Sequence, residues 1–202
     1  RATVLGFTPH QRKNEMLRQI ALVMGNKSQL WWDLPAWDGF LVLKELYEVD
    51  DAVFKTRIEI LMETLGIADK VHTQLRRLSL GERMKCELAA SLLHAPRVVF
   101  LDEPTLGLDL VSQKRIREFL KDMHSREGST ILLTSHYMQD IQELCDRVIV
   151  IDQGQKVFDG ALDTLSERFR QFRLVRLQLS APAAPEDLAR YGRVVENDEE
   201  SA

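Results

Sequence analysis

Two adjacent carboxylates, Asp102 and Glu103, close a continuous apolar run from Val98 to Leu101, and Pro104 follows at once. If that run is a strand of an open parallel sheet, both acids stand at its C-terminal end, where such sheets place ligands. One carboxylate there suits a hard cation such as Mg²⁺ shared with phosphate oxygens, and the other suits polarising an attacking water. An acidic pair alone is a weak signal, since many strands end this way. Three further groups bear on it. Leu78-Ser79-Leu80-Gly81-Glu82 sets a hydroxyl and a flexible backbone at the head of a helical pattern, where a helix N-terminus favours an anionic phosphate. The same residues also read as an S-x-x-E capping box, Ser79 with Glu82, which needs no ligand. Thr134-Ser135-His136 ends the next apolar run, and His136 there either meets a terminal phosphate or packs and caps a helix. Leu106-Gly107-Leu108-Asp109 is, taken alone, a glycine turn with a helix-capping Asp.

The surrounding pattern supplies elements that could hold these groups. Ile20 to Met24 is apolar and ends at Gly25, the length of a buried strand. Ala2 to Phe7 reads as a strand already under way at residue 1, an Arg, so the chain is expected to be cut at its beginning. Asn26 to Gly39 holds Trp31, Trp32 and Trp37 among Asp and Pro and fits neither regular period. From Phe40 to Leu65 apolar residues recur every three or four positions, which predicts two amphipathic helices broken near Asp50 and Asp51. Met84, Leu88 and Leu92 mark a helix from Glu82 to His94, stopped before Pro96. Strand Val98 to Leu101, expected to be covered on both faces, then alternates with helix Lys114 to Met123, strand Thr130 to Leu133, helix Met138 to Cys145 and strand Val148 to Ile151. This order predicts an α/β fold with a parallel sheet and crossover helices. A turn at Asp152 to Gly154 leads to a last short strand, Lys156 to Phe158. Beyond Gly160, Leu162 to Phe172 reads as a charged helix, Leu174 to Leu179 as an edge strand, Ala181 to Pro185 as a linker, and Glu196 to Ala202 as a frayed acidic end.

The 202 residues are 45% hydrophobic and 29% charged, an ordinary globular composition with room for one sizeable core. A net charge of only −4 points away from nucleic acid, which asks for a concentrated basic face. Cys86 and Cys145 lack metal-type spacing, so free thiols and a cytosolic, reducing compartment are expected. No apolar run reaches the roughly 20 residues that cross a bilayer, so any membrane span would come from another chain.

In order and spacing, Leu78 to Glu82, Val98 to Pro104, Leu106 to Asp109 and His136 resemble the signature motif, Walker B strand, D-loop and switch histidine of ABC ATPases, over residues 3 to 160. The resemblance implies a P-loop NTPase, RecA-like sheet with an ABC helical subdomain: residues 26 to 78 the Q-loop and helical subdomain, 79 to 160 the signature helix onward, and 161 to 202 the start of a small accessory domain. It implies ATP and Mg²⁺, with Asp102 on the Mg²⁺ shell, Glu103 as catalytic carboxylate and His136 on the γ-phosphate. Ser79, Gly81 and Glu82 would face nucleotide held by a second ABC ATPase subunit in a head-to-tail dimer, with Asp109 across that interface.

Leu80 and Glu82 depart from the usual signature Leu-Ser-Gly-Gly-Gln, while Gly81, where backbone must approach phosphate, is kept. The Q-loop amide toward the metal is Asn26, counted back from Leu30, with Gln29 as its rival. No G-x-x-x-x-G-K-[ST] loop occurs in the 202 residues, so this chain alone is expected neither to bind ATP tightly nor to hydrolyse it. Fifty positions separate Gln29 from Ser79, too few for the long coiled coil of chromosome-type relatives, and translation-type relatives join two ATPase units in one chain. Lys27 to Pro35 resembles the Q-loop region of ABC-2-type exporter ATPases, including viologen and drug exporters. That implies an integral-membrane permease docking at the Q-loop and helical subdomain, and a subunit peripheral on the cytoplasmic face of the plasma membrane. Exposed tryptophans there would serve that interface, and the alternative is that they are core. The rival function is a non-transport or catalytically dead interaction module.

Overall fold

The computed structural model describes residues 2–169. Its centre is a parallel sheet in the order β1 (Ile20–Met24), β2 (Val98–Asp102), β3 (Thr130–Thr134). The register aligns Met24, Asp102 and Thr134, so the three strands end together at one edge. Parallel neighbours need long crossovers. After the short α1 (Asn14–Leu17), the first crossover carries α2 (Ala36–Leu46), α3 (Asp51–Leu65) and α4 (Leu80–Leu92). The second is α5 (Leu110–Glu127), and α6 (Met138–Leu144) follows β3.

Local chemistry sets these boundaries. Asp50 caps α3 by accepting from the amides of Ala52 and Val53, and Gly66 ends it at a left-handed φ of 62°. Asp109 caps α5 through the Ser112 amide. Helix α2 begins at Ala36 rather than Phe40, so Trp37 is helical and packs edge-on against Phe54 with ring centroids 6.1 Å apart. Helix α4 is buried along nearly its whole length and meets β1, α2, α3 and α5, which makes it the axis of the core.

Three expectations need correction. Ala2 to Phe7 is no strand: Leu5 and Gly6 both take positive φ, and the turn makes Val4 and Phe7 bond each other. The apolar sheet is covered on one face only among the described residues. Val99 and Leu101 lie in the core beside α4 and α5 residues, whereas Leu22 and Leu132, in register with Phe100, are 47% and 53% exposed. The fourth predicted strand also leaves the parallel sheet. Gln153 and Gly154 both adopt positive φ, the conformation of a tight hairpin turn, so β4 (Arg147–Asp152) pairs antiparallel with β5 (Gln155–Ala161). Helix α7 (Leu162–Phe169) begins where a charged helix was expected; the edge strand, linker and acidic end predicted after it lie outside the described residues. Cys86 and Cys145 are free thiols, and burial pushes Cys86 up to about 12.

Candidate active site

The common strand edge creates the first cluster. Asp102 ends β2 with its side chain exposed, and the Thr134 hydroxyl donates to its Oδ1 at 2.6 Å. Glu103 is the next residue, and its φ of 53° puts a non-glycine residue in the left-handed region, a conformation that costs roughly 1–3 kcal/mol and gathers at functional sites. Two contacts hold it there, because the Glu103 amide donates to the Thr134 carbonyl at 3.0 Å and to Thr134 Oγ1 at 3.2 Å. The side chain is thereby turned toward His136, whose Nδ1 stands 2.9 Å from Glu103 Oε2. That approach is short but not aligned as a hydrogen bond, and Oε2 is shielded from solvent with no aligned donor. A buried, unsatisfied carboxylate oxygen is costly and marks a place where a proton or donor completes the site.

The loop after β1 closes the same edge. Gly25 donates its amide to the Asp102 carbonyl at 2.8 Å, and a Cβ on Gly25 would stand 2.1 Å from the Glu103 carbonyl oxygen. Only glycine fits that approach. Asn26, one residue on, is exposed and makes no side-chain hydrogen bond among the described residues. Gln29 is engaged: its side-chain amide donates to the Leu22 carbonyl and, at 3.1 Å, to Ser91 Oγ.

A second cluster forms where the N-termini of α4 and α5 meet. Both halves of the capping box are present, the Glu82 amide donating to Ser79 Oγ at 3.2 Å and the Ser79 amide to Glu82 Oε2 at 2.9 Å. The bond from the Ser79 amide holds the Glu82 carboxyl below its ordinary range, and Lys70 at 3.6 Å adds to this. A Cβ on Gly81 would lie 2.5 Å from Ser112 Oγ, and Ser112 in turn donates to Asp109 Oδ2 at 2.6 Å, which lowers the Asp109 carboxyl. Ser79, Gly81, Glu82 and Asp109 thus stand together, as do Asp102, Glu103 and His136. No side-chain hydrogen bond or ion pair among the described residues links the two groups.

Sequence reasoning missed what holds the first cluster in place. Asp140, fully buried, accepts from Thr105 and Ser135 hydroxyls and from Arg117, which also reaches Glu143 at 3.0 Å. The Ser135 hydroxyl also takes the Tyr137 amide, so the two residues flanking His136 are fixed. Two of Asp140's three partners, Thr105 and Arg117, lie more than twenty positions away in sequence, so no local signal announced its role.

In the donor set, Asp102 offers a carboxylate, Asn26 an amide oxygen and Thr134 a hydroxyl, the hard oxygen ligands that Mg²⁺ takes alongside phosphate. No helix among the described residues is long and apolar enough to cross a membrane.

Residues 39–138 match the family described as AAA domain, putative AbiEii toxin, Type IV TA system. The chain is 35% identical over 168 residues to the ABC transporter ATP-binding protein NatA of Bacillus subtilis (strain 168), covering 83% of this chain and 68% of that protein. It is 28% identical over 178 residues to the linearmycin resistance ATP-binding protein LnrL of the same organism, covering 88% of this chain and 57% of that one. A solved ATP-binding subunit of an ABC transporter shares the fold with a TM-score of 0.71 at 20% identity, over 83% of this chain and 69% of that one. By that identity and coverage to NatA, the chain belongs to the ATP-binding subunits of ABC transporters.

Proposed function

We propose that the protein hydrolyses Mg-ATP and couples it to export through a separate membrane permease. The observation that carries this reading is the strained Glu103, its Oε2 shielded and without an aligned donor 2.9 Å from His136. Glu103 orients and deprotonates the attacking water, and His136 meets the terminal phosphate. Asp102 and Asn26 hold Mg²⁺, which neutralises phosphate charge when bound, and the hydrogen bonds that engage Gln29 favour Asn26 over it. Ser79, Gly81 and Glu82 contact nucleotide held mainly by a second subunit, head to tail, and Asp109 lies across that interface. ATP-binding subunits of this family work with membrane permease components. For this protein the docking face is Trp31 and Trp32, each 50% exposed, with Leu34 and the exposed Leu41, Val42 and Leu46 of α2. The working position is then peripheral, on the cytoplasmic side of the membrane. Since these 202 residues contain no G-x-x-x-x-G-K-[ST] loop, the chain by itself is inactive and the activity belongs to the protein that supplies one.

The test is ATP turnover by the full-length protein with its permease, wild type against Glu103→Gln. The variant should bind Mg-ATP and lose turnover about 10²–10⁴-fold. Turnover that survives the substitution would remove Glu103 from the catalytic role, and a wild-type protein without turnover would favour an interaction module without catalysis.

A further inference from the structure

Helix α4 touches the segment after β1 at three points on successive turns. The Arg83 guanidinium carbon lies 4.4 Å from the Trp32 ring centroid. One turn on, Glu87 is only 4% exposed, and its carboxylate accepts from the single backbone amide of Gln29, shared between its two oxygens at 3.1 and 3.2 Å, from the amide of Leu30 at 3.2 Å and from the Ser28 hydroxyl. A further turn along, Ser91 holds the Gln29 side chain. Every hydrogen-bond partner of Glu87 among the described residues is a donor from this loop, and none is a cation.

A buried carboxylate without a counter-ion is tolerated only while hydrogen-bond donors replace its water. An apolar residue at position 87 would fill the same space at lower cost. What the charge adds is dependence on loop conformation, because residues 28–30 cannot slip from α4 without stranding a desolvated carboxylate. The next two residues in the loop are the half-exposed Trp31 and Trp32. The other end of α4 carries Ser79 and Gly81.

We propose that Glu87 is a positioning residue that makes the Trp31–Trp32 surface follow α4, so that nucleotide engaged at Ser79 and Gly81 is read at the tryptophans. This inference rests on the ATP-binding role proposed above. Helix α4 is the rigid lever, since its turns are packed on nearly all sides, and the loop is the part that responds. Arg83 adds a second grip on Trp32, but a cation over a ring tolerates sliding, whereas hydrogen bonds to backbone amides fix the loop in register.

The experiment titrates Mg-ATP into full-length protein carrying Glu103→Gln, so that turnover does not consume ligand. Emission from Trp31 and Trp32 is isolated by subtracting a Trp31→Phe, Trp32→Phe version, and Kd is measured in parallel with labelled ATP. The parent should show an ATP-dependent emission shift, and adding Glu87→Gln should abolish that shift while leaving Kd unchanged. Ser28→Ala removes one donor from an exposed position, should reduce the shift without loss of fold, and gives the answer if the Glu87 variant does not fold. A shift that persists in both variants overturns the proposal, as does a Kd that weakens in step with the shift, or a parent that binds ATP with no shift. A parent that fails to bind Mg-ATP overturns the proposed function, and this inference with it.

Discussion

His136 Nδ1 lies 2.9 Å from Glu103 Oε2, close enough for the two side chains to meet the same small ligand. If the two act as one unit on water and phosphate, their substitutions are not additive. His136→Ala and Glu103→Gln should each lower ATP turnover about 10²–10⁴-fold, and the double variant should fall scarcely further. Steady-state turnover of the full-length protein checks this. Losses that multiply would mean the two residues act at separate steps.

Asp140 and Arg117 set the loop that carries His136, and both are buried. Removing one member of a buried pair strands the other, at a cost of about 3–5 kcal/mol. Arg117→Met should therefore cost about that much in denaturant unfolding, while Arg117→Met with Asp140→Leu should recover part of it. Recovery will be incomplete, since the Thr105 and Ser135 hydroxyls also lose their acceptor.

Much of this arrangement is legible in the sequence because its causes are local. Apolar runs of strand length gave β1, β2 and β3, Asp50 marked the break between α2 and α3, and Ser79 with Glu82 announced the head of α4. What stayed hidden depends on partners distant in sequence. Glu87 reads as one more charge on an amphipathic helix, yet the loop it holds lies nearly sixty positions earlier. The turn at Asp152 to Gly154 and the strand after it were legible, but that β4 pairs with β5 and not with the parallel sheet was not, because alternation of strands and helices does not say which neighbour a strand takes. The left-handed Glu103 is likewise a product of Thr134 on the neighbouring strand, invisible in the run that contains it.

His94 links α4 to the sheet and should make stability depend on pH. Its ring stacks on Tyr47 at 3.8 Å and 4°, and its Nε2 meets the Ile20 carbonyl at 3.1 Å, while the buried Nδ1 has no partner. Burial lowers its pKa from the ordinary 6.5, opposed by the Ile20 bond and aided by Arg57. Between the lowered folded value and 6.5 the unfolded chain binds more protons, so stability rises with pH across that window. His94's contribution is fully present above 6.5 and is lost as pH falls toward the folded value. Denaturant unfolding at about pH 7.5 and about pH 5.5 should show a loss that shrinks in His94→Phe. An equal loss in both proteins would assign the pH dependence to other groups.

Ser79 offers a way to separate capping from ligand recognition, because both readings apply to the same hydroxyl. As a cap, its oxygen accepts from the Glu82 amide, and Asp performs that task about as well as Ser. As a phosphate contact, an Asp there would set a negative charge against the ligand's own. Ser79→Ala should cost about 1 kcal/mol of stability by losing the cap. Ser79→Asp keeps the acceptor for the Glu82 amide but loses the hydroxyl that donates to Glu82 Oε2 at 3.0 Å and sets two carboxylates together. It should therefore unfold somewhat below the wild-type denaturant concentration, yet lose far more ATP turnover in the dimeric full-length protein than Ser79→Ala does. If Ser79→Asp turns over ATP normally, the capping box is the whole role of this motif, and the second cluster faces no phosphate.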